Sequence, residues 1–178
     1  VLLALLPVAA SAQNLVANGG FSSALVDWRT TGNGTASLSL DDIDGDPVSG
    51  SALLRNAEVD AGVQAIPLDQ CVALPGPGVY LVGASSRLDA TQVAGRAVLG
   101  TVLYGGANCT GSIRGGAGRG FPRASTWTPV SFLVSVDISV SMLVRLGVEK
   151  AVAGGTIEVQ VDDVFVGLTP QLFRNGFE

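Results

Sequence analysis

The chain has 178 residues, a formal net charge of −5, no histidine, 24 glycines and only 14% charged residues. That length suits one domain with a proper core, and the acidity argues against a nucleic-acid backbone or an anionic membrane surface as the main partner, because either would repel it. Without histidine, Ser-His-Asp and Cys-His catalysis and imidazole-ligated metal centres are excluded.

In chain order, the apolar run Val1-Leu2-Leu3-Ala4-Leu5-Leu6-Pro7-Val8-Ala9 leads into Ala10-Ser11-Ala12, a small-x-small cleavage pattern. Residues 1–12 therefore read as a secretory signal peptide, truncated because the usual Met and basic start are missing, with Gln13 opening the mature chain. The run falls short of the roughly 20 residues that span a bilayer. The expected location is secreted or in a bacterial cell envelope, extracellular or periplasmic, with no membrane insertion.

From residue 13 to 167 the dominant signal is period-two alternation of apolar and polar side chains. Strands are expected at 36–40, 51–55, 63–68, 79–86, 94–104, 129–136, 141–149 and 156–161. Between them lie turn formers such as Asn33-Gly34, Asp44-Gly45, Pro75-Gly76-Pro77-Gly78 and Gly154-Gly155. Nine or ten short strands at this spacing imply an all-β fold of two packed antiparallel sheets, a jelly roll or a related sandwich. The stretch Arg114-Gly115-Gly116-Ala117-Gly118-Arg119-Gly120 reads as a long flexible loop. Residues 168–178 read as a C-terminal tail folded against the sandwich; their run to Phe173-Arg174-Asn175-Gly176-Phe177-Glu178 resembles a short terminal signature of some exported Gram-negative proteins.

Cys71 and Cys109 are the only thiols, and in an exported protein such a pair is expected to form a disulfide. Asp41-Asp42-Ile43-Asp44-Gly45-Asp46 places four carboxylates within six residues, a ligand type that hard cations favour, although Pro47 and Leu53 break the EF-hand pattern. Arg114, Arg119 and Arg123 surround the glycine-rich stretch and are candidates to clamp an acidic sugar or a phosphate.

Four segments in order resemble the carbohydrate-binding modules of the galactose-binding-like jelly-roll type found beside bacterial cellulases and xylanases. They are Asn14-Leu15-Val16-Ala17-Asn18-Gly19-Gly20-Phe21 with Trp28; Gly50-Ser51-Ala52-Leu53-Leu54-Arg55; Gln70-Cys71-Val72-Ala73-Leu74 with Val79-Tyr80-Leu81-Val82-Gly83-Ala84; and Thr126-Trp127-Thr128 with Val159-Gln160-Val161-Asp162-Asp163-Val164. The resemblance implies a structural calcium held by Gly20, by Asp44 and Asp46 of the acidic loop, and by Asp162. Ser22 departs from it, standing where such modules often carry an acid.

The resemblance also assigns Trp28 and Trp127 to structure, and Tyr80 lies in a central strand. Tyr104, at a strand end before Gly105-Gly106, is then the best ring for stacking on a sugar. The candidate ligand residues are accordingly Tyr104, Arg114 and Arg119. The expected function is a secreted, non-catalytic binding module for carbohydrate or cell-surface glycan, not an enzyme and not a nucleic-acid binder. The alternative is a structural or adhesive exoprotein with no defined small ligand.

Overall fold

A computed structural model describes residues 13–46 and 48–169; the expected signal peptide and residues 170–178 of the expected tail lie outside them. Ten strands follow in chain order: β1 (Arg29–Thr30), β2 (Thr35–Ser39), β3 (Ser51–Asn56), β4 (Gln64–Ala73), β5 (Gly78–Arg87), β6 (Gly95–Tyr104), β7 (Ile113–Gly120), β8 (Thr128–Val136), β9 (Ser141–Lys150) and β10 (Ile157–Leu168). They form two five-stranded sheets, β1-β4-β9-β6-β7 and β2-β3-β10-β5-β8. Every pairing is antiparallel. The molecule is an all-β jelly-roll sandwich.

The alternation decides which side of each strand is buried. On β6, Ala97, Leu99, Thr101 and Leu103 turn inward, and on β9 so do Met142, Val144, Leu146 and Val148. They meet Leu54, Tyr80, Val82, Val159, Val161 and Val166 from the other sheet, one continuous apolar cluster. Tyr80 is fully buried, and its hydroxyl donates to Gly76 O, so the one polar atom of that ring is satisfied.

Two bulges adjust the frame. In β4 the register shifts between Ala65 and Leu68, where Pro67 has no N–H to give the ladder. In β10 it shifts between Asp162 and Phe165, changing the inward set from Ile157, Val159 and Val161 to Val164 and Val166. The opening turn closes on this second bulge: Val164 N–H donates to Gly19 O, and a Cβ on Gly19 would stand 2.0 Å from Val164 O. Only glycine fits there. Phe21 and Trp28 then stack beneath the turn, ring centroids 5.6 Å apart.

The glycine-rich stretch expected as a flexible loop is instead β7, paired with β6 from Val98–Gly120 to Val102–Gly116. It is held by the backbone ladder and by the Thr101 hydroxyl, which exchanges hydrogen bonds with the Ala117 backbone, while nearly all of its own side chains are exposed, so it leaves no apolar alternation to read. At the far end β10 continues to Leu168, and both the N–H and the hydroxyl of Thr169 donate to Val79 O.

Candidate functional site

The outer face of the β1-β4-β9-β6-β7 sheet carries the residues that alternate with the core set. On β6 these are Val98, Gly100, Val102 and Tyr104, and on β9 they are Leu143, Arg145 and Gly147. Asp69 and Cys71 of β4 pair with Arg145 and Leu143 and so share that face, and β1 adds Arg29 opposite Asp69. Arg29 donates from Nε and Nη2 to the two oxygens of Asp69, both at 2.7 Å. Asp69 is only 2% exposed. The hydrogen bond to Asp69, helped by its charge, raises the Arg29 pKa further.

Beyond Tyr104 the chain turns through Gly105 and Gly106 into a 3-10 turn, Ala107–Cys109. Cys109 forms the expected disulfide with Cys71, Cα to Cα 5.9 Å. Ser141 Oγ accepts from Cys109 N–H at 3.0 Å and donates to Gly106 O at 2.6 Å, which pins the turn to β9. The result is a cavity of about 240 Å³ lined by Tyr104, Leu143, the disulfide, Arg29, Asp69, Gln70, Asp27 and Asn108. An aromatic ring and an aliphatic wall face convergent donors and acceptors, the mix that orients a small polar ligand with one apolar side.

The three arginines around β7 do not meet in a clamp. Arg119 donates to Ser131 O of β8 across the sandwich edge, and Arg123 holds the carbonyls of Ala90, Gln92 and Val93. Arg114 lies over Gly105, beside Tyr104, where a glycine Cβ would stand 2.9 Å from its Nε. Of the candidate ligand residues, Tyr104 lines the cavity, Arg114 sits opposite it at the β7 register shift without lining the cavity, and Arg119 is on another surface.

The acidic loop folds on itself. Asp42 accepts from the N–H groups of Gly45 and Asp46 and from the Ser49 hydroxyl, and chiefly that hydroxyl lowers its pKa. Asp46 accepts from Val48 N–H. Trp127 donates its indole N–H to Asp42 O at 3.1 Å and lies under the Arg87 guanidinium, so it fastens this loop rather than filling the core. Asp162, 2% exposed, accepts from Ile43 N–H and Asp163 N–H. Burial pushes its pKa up to about 6, with the Asp163 and Asp42 charges adding to the rise. Asp163, held at φ 51° by the β10 bulge, is raised by burial and by Asp44 and Asp42. It lines a larger cavity of about 490 Å³ with Gly20 and Asn14, on the opposite sheet. Among the described residues no three carboxylate, cysteine or histidine side chains converge on one point suited to a metal ion. Asp42, Asp46 and Asp162 are turned toward backbone N–H groups.

No family model matches the chain, and no curated protein matches it by sequence. Solved structures do match its shape. The Family 16 Carbohydrate Binding Module-2 is 20% identical, with 86% of this chain and 99% of that one covered, at a TM-score of 0.60. The CBM22-1 xylan-binding domain from Paenibacillus barcinonensis Xyn10C is 15% identical, with 90% and 97% covered and a TM-score of 0.58. The fold is that of the carbohydrate-binding jelly rolls. The same fold occurs inside larger proteins: the enzymatically active domain of bacteriophage CBA120 tailspike protein 4 is 16% identical at a TM-score of 0.63, and this chain covers 88% of itself but 21% of that chain.

On this jelly roll, the polar wall of the Tyr104 cavity is what sequence reasoning missed. Arg29 and Asp69 lie 40 positions apart and meet only through β1–β4 pairing. The available signal was Asp69 itself, the one charged residue of β4, which needs a cationic partner when buried.

Proposed function

We propose that the protein is a non-catalytic carbohydrate-binding module, secreted or held in a bacterial cell envelope, that takes a glycan on the outer face of the β1-β4-β9-β6-β7 sheet. The observation that carries the reading is the Tyr104 cavity, in which a ring suited to the C–H face of a pyranose stands beside Arg29, Asn108, Asp27 and Asp69. The names of the similar structures support it, since two are carbohydrate-binding or xylan-binding modules matched over nearly their whole length. The disulfide supports an oxidising compartment.

A binding role suits the acids better than catalysis does. Glycoside hydrolysis uses two carboxyl groups across the scissile bond, and here Asp69 is buried and committed to Arg29. A glycan array on residues 13–178 tests the proposal. Binding that Tyr104→Ala weakens about tenfold or more supports it. An array with no signal would favour the structural or adhesive exoprotein, and turnover of a chromogenic glycoside would overturn the non-catalytic reading.

The proposal includes a structural calcium near Gly20, Asp44, Asp46 and Asp162. Support comes from the raised pKa values of Asp162 and Asp163, whose negative charges a cation would offset. A chelator should lower the melting temperature and excess calcium should restore it, as linkage requires. Melting curves that ignore both would remove calcium from the proposal.

A further inference from the structure

One cross-strand row of the candidate face is electrostatically unbalanced. Arg29, Asp69, Arg145, Gly100 and Gly118 stand in register on β1, β4, β9, β6 and β7. Asp69 therefore lies between two arginines, and it gives both oxygens to Arg29. The next pair on this face, Arg96 and Glu149, is likewise closed at 2.8 Å. Among the described residues Arg145 has no carboxylate within salt-bridge reach, and its Nε is buried with no hydrogen-bond partner. Asp69 and Glu149, the carboxylates of this face, are thus closed on Arg29 and Arg96, which leaves the Arg145 guanidinium as a cation without an anionic partner that a ligand carboxylate would supply.

The ground beside Arg145 is open. Gly100 and Gly118 put no side chains on that part of the face, and a Cβ built on Gly100 would find its nearest neighbours, one of them Arg145 Cβ, 3.9 Å away. Tyr104 is four residues along β6 from Gly100, roughly 14 Å at strand spacing, a span that an oligosaccharide of a few units covers.

We propose that Arg145 selects an acidic glycan, binding the carboxylate of a uronic acid residue through its planar guanidinium while the sugar ring lies over Gly100 and Gly118. The inference rests on the reading that this face binds carbohydrate. A guanidinium matches a carboxylate with two parallel N–H···O bonds, which a neutral hydroxyl cannot offer, so the preference should be for charge and for planarity together.

Titration calorimetry on residues 13–178 tests it with three probes: an oligogalacturonate hexamer, a neutral xylohexaose and a sulfated oligosaccharide. The uronate should bind at least tenfold more tightly than the neutral probe. Arg145→Gln should remove that advantage while leaving neutral binding within about twofold, and Arg145→Lys should keep only part of it; melting curves confirm that both variants fold. Neutral binding equal to or tighter than uronate binding would overturn the inference and leave the carbohydrate reading intact, and so would a uronate preference that survives Arg145→Gln. Tighter binding of the sulfated probe would overturn the carboxylate assignment. No heat from any probe would overturn both readings.

Discussion

At the scale of single residues, Asp42 and Asp162 face the same loop with opposite pH behaviour. Hydrogen bonds hold the Asp42 pKa low, so its contribution is present at neutral pH and lost as the pH falls through the carboxylate range. Asp162 runs the other way. Its folded value of about 6 lies above the ordinary 3.8, so the folded state holds the proton more tightly than the unfolded one. That stabilisation is complete below the ordinary value and lost as the pH rises through the folded one. With a chelator present, the wild type should therefore lose a few degrees of melting temperature between about pH 4 and pH 6 relative to Asp162→Asn. The variant also gives up an acceptor for Ile43 or Asp163 N–H, a cost independent of pH, so the diagnostic quantity is the slope of the difference and not its offset. Parallel curves for the two proteins would show that Asp162 titrates alike in the folded and unfolded states and would overturn the raised value.

At the scale of elements, β7 shows what alternation can and cannot reveal. The strands β3, β5, β6, β8 and β9 and the first halves of β4 and β10 were legible because each has a buried side that demands apolar residues at every second position. The eight residues of β7, IRGGAGRG, make no such demand, since their place is fixed by hydrogen bonds to a neighbour that is itself well specified. As an edge strand it carries Arg114 and Arg119, charges that discourage pairing with a second molecule. The glycines are not equivalent, which supplies a test. A Cβ on Gly116 would stand 2.4 Å from Thr101 O, whereas the nearest atom to one on Gly118 is 3.4 Å away. Gly116→Ala should cost about 1–3 kcal/mol in denaturant unfolding, and Gly118→Ala no more than about 0.5 kcal/mol. Equal and negligible effects would mean that the segment is the loose loop its composition suggests.

At the scale of the whole molecule, the sandwich was written in turn spacing and alternation, and so was Tyr104, a ring at a strand end with glycines beyond it. The charged wall beside it was not, because Arg29, Asp69 and Arg145 come together only through the β1-β4-β9 order, which no local pattern encodes. The disulfide joins the two levels. Cys71 lies on β4 and Cys109 in the turn after β6, the strands on either side of β9, so the bond closes a loop of 38 positions and also walls the Tyr104 cavity. Restricting an unfolded chain by a loop of that length is worth roughly 4 kcal/mol in the chain-entropy model. Reduction should accordingly lower the melting temperature by roughly 10 °C. It should also weaken glycan binding at temperatures where the reduced protein is still folded, because the 3-10 turn would then be held only by Ser141 and its neighbours. Two free thiols titrating in the denatured, unreduced protein would refute the bond itself. A reduced protein that melts early yet binds glycan unchanged would confine the disulfide to stability and remove it from the site.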